Sequence, residues 1–421
     1  MSILEPITHR EEIQSLLDEA QQWYDKATKN FDDQKQTTTK KLENLGKTKI
    51  YAWADGMDTF VDVFSSFKNI EIDRTIDTNL HFIGSDEEPK QMLMNIQNAS
   101  MTANEIAKAG VAAVGTGVLV GIASYGGAMM FASASTGTAI ATLSGAAKTN
   151  ATLAWFGGGS LKSGGLGMSG GKLVLAGIVV APILIVGALI SGAKGKEKLA
   201  EAKKINAEAK DAAAKIEIMT MGMSAIAKMS DNYSSFIKKL NREFKPFIRE
   251  LDRIRIEHIS AEGEKIDFNS LNAVEQKTLH ISWLMAQIYY HVLSATILTD
   301  SGELSLEASQ TLSASTKELR MIRKDTFKMT GEDAQIGDLM WNSTARKMML
   351  INLAAAILFA TVGIGILSKS TVSGICCLIS AVVAFPVFFR FRDLSASKVY
   401  FWCLVRLIIA IIFVFVIVIL A

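Results

Sequence analysis

Between residues 205 and 254, apolar side chains return every three or four positions. The row is Ile205, Ala209, Ala212, Ile216, Met219, Met223, Ile226, Ser230, Tyr233, Ile237, Leu240, Phe244, Phe247, Leu251 and Ile254, and only Ser230 is polar. A period near 3.5 puts the row on one side of a helix, so a long coiled-coil or bundle helix is predicted over 196–256. Pro246 predicts a kink or break near its end, because its ring removes an amide donor and crowds the preceding turn. A shorter version opens the chain. Ile13, Leu17, Ala20, Tyr24, Ala27 and Phe31 keep the heptad, and Gln34, Thr38 and Lys41 lose it. That helix is expected to continue as an exposed arm or to pair through polar faces. Further helices are predicted over 51–67, 270–299 and 303–329, with a loop over 70–90.

A second pattern is the absence of charge. Three C-terminal runs, 348–368, 371–389 and 399–421, are almost wholly apolar. A bilayer core of about 30 Å is crossed by roughly 20 helical residues. Backbone groups find no water there, so such runs span as helices. Arg346 and Lys347 precede the first run, and Arg390, Arg392 and Lys398 separate the second from the third. The positive-inside rule then places the long N-terminal part in the cytoplasm. Arg406 is the one charge within the third run. It is expected to snorkel to the headgroups, the alternative being a pore-lining or partner-binding charge.

The centre of the chain is uncharged too, over 109–147 and again over 173–193, but it is rich in small residues. Ala109, Ala113, Gly117 and Gly121 recur every four positions, and Gly177 and Ala181 repeat the spacing. Small residues at that period let helix backbones approach closely. Two apolar helices, about 105–135 and 172–194, are therefore expected to flank a glycine-rich hairpin tip containing Trp155, Gly157, Gly158, Gly159 and Lys162. The tip does not read as a phosphate cradle. Gly171-Lys172 is followed by Leu173, with Leu166 where the first glycine of a P-loop belongs. Gly165, Gly167 and Gly170 have the dinucleotide spacing, but no strand precedes them.

Composition narrows the reading. With 44 Lys and Arg against 42 Asp and Glu, no nucleic-acid footprint is visible in the charge balance. Proline is scarce, which favours helices. Cys376, Cys377 and Cys403 all lie in apolar runs, so neither a disulfide framework nor a zinc site is expected. The first residues lack the basic and apolar regions of a secretory signal, so a cytoplasmic start is expected. His280 and His291 fall on one helix face without an acidic neighbour in sequence, which fits core histidines better than a metal pair. The acidic stretch 83–89 reads as a solvated loop rather than a calcium loop. No catalytic spacing occurs, so neither an enzyme nor a cofactor is expected.

The run "STGTAIATLSGAAKTNATLAWFGGG" at 135–159 and the glycine-rich apolar stretch after it resemble a segment found in many uncharacterised bacterial proteins. More distantly, residues 105–195 resemble the Gly/Ala-rich membrane segment of the interferon-alpha-inducible small membrane proteins of vertebrates. The resemblance implies membrane association and, by a longer reach, a role in innate or anti-phage defence. The expected location is integral to a membrane, a bacterial inner membrane, with the N-terminal part cytoplasmic.

These readings give an all-α protein. Its expected parts are N-terminal amphipathic helices (1–104), the apolar hairpin (105–195), the heptad helix (196–256), a helical bundle (257–345) and three transmembrane helices (346–421). The expected function is to perturb or permeabilise a membrane, with the hairpin packed at rest and then released. A membrane-anchored scaffold and a channel or transporter subunit are the alternatives. The expected partners are the lipid bilayer and further copies of the chain, joined through the 205–254 heptads, and no nucleic acid.

Overall fold

The computed structural model describes residues 5–70, 89–111, 115–116, 119–124, 195–259, 264–299, 302–367, 371–384 and 394–420, and nearly all of them are helical. The fold is all-α. The first helix, α1 (Glu5–Tyr51), runs into one π-helical turn (Ala52–Met57) and then α2 (Asp58–Phe64). After β1 (Phe67–Lys68) come α3 (Pro89–Ala109) and the long α4 (Gly195–His258). The strand β2 (Ile266–Asp267) pairs in parallel with β1, Phe67 opposite Ile266. The chain then forms α5 (Ala273–Ser294), α6 (Leu306–Lys328), α7 (Ala334–Leu367), α8 (Thr371–Ala384) and α9 (Ala396–Leu420).

Two compact units emerge. The described residues of the first fall within 1–58, 87–239 and 289–315, and those of the second within 59–86, 240–288 and 316–421.

In the first unit the heptads of α1 and α4 meet. Leu17 and Ala20 pack against Ala202, Ile205 and Ala209, and Tyr24 and Phe31 pack against Ile216. Of the fifteen heptad positions along α4, all are buried except Ala212, Met219 and Met223, which are half-buried. Where α1 loses its apolar period, polar contacts replace it. Thr38 Oγ1 donates to the Met223 carbonyl at 3.0 Å, and Lys41 pairs with Asp231 at 2.8 Å. Polar pairing, rather than an exposed arm, is therefore what carries the helix onward. Beyond Lys41, Leu45 and Ile50 are again fully buried. Gly110, at a φ of +89°, ends α3, because a left-handed residue after the last helical turn costs glycine nothing.

In the second unit Phe60 packs on Phe244, and Phe64 stacks on Trp283, each at 5.3 Å between ring centres. The α4 helix continues through Pro246 without a break. Phe244 and Phe247 on either side are completely buried, and aromatic packing of this kind outweighs one missing amide bond. Arg323 donates to Glu243 and lies over the Trp341 ring at 4.5 Å.

Candidate functional site

Two arrangements break the ordinary rules for a water-soluble helical protein, one in each unit.

In the first unit, Lys49 is completely buried. Its ammonium donates to the Ala123 carbonyl at 3.2 Å and to the Ala295 carbonyl at 3.0 Å. Burial alone lowers its pKa from the usual lysine value to about 7. Nearby, burial lowers His291 to about 4. Tyr289 is held well above the usual phenol range, first by burial and then by the Asp55 carboxylate.

The residues that Lys49 grips open the uncharged central segment. Leu119, Val120, Ile122, Ala123 and Ser124 are all buried. The Ser124 carbonyl accepts the amides of Ile297 and Leu298. At the other end of this short helical stretch, α1 comes so close that a Cβ on Gly46 would stand 2.1 Å from the Leu119 carbonyl oxygen. A bare glycine, a buried amine and two backbone amides thus hold 119–124 within the unit. The buried amine lies out of solvent, with two backbone carbonyls as its partners.

In the second unit, α7, α8 and α9 pack on one another through small side chains. Ala356, Ala384 and Ala410 form the buried cluster, with Ala355, Phe359 and Val383 around it. Ser380 and Asn352 are also buried, and Asn352 donates its side-chain amide to the Cys403 carbonyl at 2.9 Å. The large apolar side chains point outward instead. Leu350, Ile351, Ile357 and Leu358 on α7, Val382 on α8, and Ile411, Ile412 and Phe415 on α9 are all exposed. Among the described residues, Gly331–Val362 is the one helical stretch long and apolar enough to cross a membrane, and only 17% of its apolar window is buried. The core helix of a soluble protein would be mostly buried. The described part of α8 has 14 residues, fewer than a span needs.

The residues singled out from sequence are placed unevenly. Ala109 is the exposed last residue of α3, and Gly121 is buried in the 119–124 stretch. The chain leaves the helix at Gly110, so these two do not share one uninterrupted helix. Ala113, Gly117, Trp155, Gly157, Gly158, Gly159, Lys162, Gly177 and Ala181 lie outside the described residues, as does the acidic stretch 83–88. Arg406 is half-buried on α9. The heptad face of α4, expected to join copies of the chain, is covered along 202–216 by α1 of the same chain. His280 and His291 both sit on α5. No group of three or more His, Cys, Asp or Glu side chains able to hold a metal ion occurs among the described residues. Sequence reasoning missed Lys49 and Gly46, which sit in the ordinary-looking stretch "NLGKTKIY".

The chain matches no protein-family model, no curated protein and no solved structure, so its function is read from the residues themselves.

Proposed function

We propose that this chain is a membrane-anchored helical protein whose C-terminal helices sit in a bilayer. On this reading it holds the entry to a Gly/Ala-rich apolar segment stowed, and releases that segment to perturb the membrane. What supports the anchor is the inverted packing of α7, α8 and α9, with alanines inward and isoleucines outward. In water such a surface is costly; against lipid tails it costs nothing, and small residues let the helices approach. What supports stowing is the burial of 119–124 beneath Gly46 and Lys49. An oligomer would use surfaces other than the α4 face that α1 covers.

The test uses the full chain with its native cysteines replaced, carrying in turn Ala123→Cys, Gly158→Cys or Val180→Cys. Membranes are washed in alkaline carbonate, and intact and lysed cells are labelled with a membrane-impermeant maleimide. The protein is expected to stay in the pellet. At rest the Gly158→Cys chain is expected to label only after lysis, with membrane leakage rising when the clamp is broken. Recovery in the carbonate supernatant would sink the anchor. Labelling of the Gly158→Cys chain from outside at rest would sink the stowed segment and favour five constitutive spans. Leakage that ignores the clamp would leave a membrane-anchored scaffold.

A further inference from the structure

The second half of α6 carries a row of cations. Lys317, Arg320, Lys324 and Lys328 are all exposed. At 100° per residue they fall within about 80° of one another around the helix, so they form one stripe. The opposite side of the same turns, Leu319, Ile322 and Thr326, is buried. The carboxylates on these turns do not balance the stripe: Glu318 is turned inward and buried, and Asp325 is half-buried.

After α6 the chain turns back, and α7 runs alongside the stripe. Phe327, next to Lys328, packs edge-on against Trp341 of α7 at 5.0 Å. Trp341 in turn donates its indole N–H to the Arg323 carbonyl and lies 5.2 Å from the Tyr400 ring of α9. Asp338 accepts the amide of Ala396, which spends that carboxylate on the start of α9. At this same end of the helix cluster, Arg346, Lys347 and Lys398 are exposed. Beyond them α7 continues into its outward-facing Leu350, Ile351, Ile357 and Leu358. Along α9 the order is Lys398, then Tyr400, then the exposed Ile411 and Ile412, and along α7 Trp341, Arg346 and Lys347 all precede the apolar side chains. Cations and rings together thus stand ahead of the apolar surface, as headgroups and interface stand ahead of tails in a bilayer.

We propose that the α6 stripe, together with Arg346, Lys347 and Lys398, binds the headgroups of anionic phospholipids in the leaflet that α7 enters. This rests on the membrane-anchored reading above. The occupant is a lipid surface rather than a soluble polyanion, because Arg346, Lys347 and Lys398 lead directly into helices whose exposed apolar side chains only lipid tails suit.

The test reconstitutes the full chain into nanodiscs of equal phosphatidylglycerol and phosphatidylcholine, and counts co-purifying lipids by native mass spectrometry. Each cation held near an anionic surface strengthens attraction about fivefold. Phosphatidylglycerol is therefore expected to be enriched at least about tenfold over phosphatidylcholine, and less so as salt is raised. The combined variant Lys317→Gln, Arg320→Gln, Lys324→Gln and Lys328→Gln is expected to lose most of that enrichment. A charge-conserving set, with Arg320→Lys and the three lysines changed to Arg, is expected to keep it, which separates charge from folding. Equal lipid counts in the wild type, or undiminished enrichment in the glutamine variant, would overturn the proposal. So would tight binding of an RNA fragment at the stripe without any lipid preference. A chain that never enters the nanodisc overturns the anchor as well; a chain that enters and shows no preference overturns this inference alone.

Discussion

The 119–124 clamp and the α7–α9 cluster invert each other. In the first unit a lysine is buried and nearly every large apolar side chain around it is hidden. In the second, alanines are hidden while isoleucines of α7 and α9 are exposed. Burial is governed by what the alternative is. A lysine is buried when two carbonyls receive it and its proton is held loosely; an isoleucine is exposed when the surroundings are as apolar as itself.

The largest expected way to break this contrast is a pH titration of stability. Lys49 titrates near 7 in the folded chain and near 10.5 when unfolded. The unfolded state therefore binds more protons throughout that window, and stability rises with pH across it. The total is on the order of 5 kcal/mol for one lysine shifted this far. Denaturant unfolding of the first unit between pH 7 and 10 is expected to show this slope, and Lys49→Met to flatten it. His291 acts in the same direction lower down. Its folded value near 4 means stability falls as pH drops from 6.5 towards 4.

Next comes a paired substitution. Ile357 on α7 and Ile218 on α4 are similarly exposed, at 57% and 64%. Ile357→Arg is expected to cost about 3 kcal/mol of membrane insertion, the penalty of a cation within a bilayer. Ile218→Arg, facing water, is expected to change thermal stability by less than about 0.5 kcal/mol. Carbonate-resistant yield measures the first and calorimetry the second. Equal effects would erase the distinction between the two surfaces.

Gly46→Ala is a smaller blow. Its Cβ would meet the Leu119 carbonyl, so 119–124 is expected to be displaced at a cost of about 2 kcal/mol. Hydrogen exchange at 119–124 should rise while the rest of α1 stays protected. The smallest effect is Asn352→Ala, which removes the bond to the Cys403 carbonyl and should cost about 1 kcal/mol of helix-cluster stability in detergent.

Much of the α4 helix was legible because one signal, the apolar period, runs through fifteen positions with Ser230 as its one polar member. What lay beyond periodicity was hidden. Thr38 and Lys41 look like the end of a packed helix, yet they continue it, because a hydroxyl or ammonium finds a partner that the sequence places 185 or more residues away. Pro246 looks like a break, yet the phenylalanines beside it hold the helix. Lys49 looks like a surface lysine, since burial of a cation depends on carbonyls supplied by distant turns. The small-residue pattern points to the central segment, where Gly121 is buried. The packing seen among helices instead uses Ala356, Ala384 and Ala410, which do not stand out among larger apolar neighbours.

The pairing of α1 with α4 also sets a timetable for synthesis. Asn206 reaches the Leu16 carbonyl across 190 residues, and Thr38 reaches Met223 across 185. At about 5 to 20 residues per second, α1 leaves the ribosome roughly 10 to 40 seconds before its partner exists. Leu17, Tyr24 and Phe31 spend that interval without the cover they have in the finished unit, while Glu11, Glu12, Asp18 and Glu19 keep the nascent helix in solution. The chain is thus committed to a long wait for its first helix, and any factor that shortens translation pauses before α4 should raise the yield of folded protein.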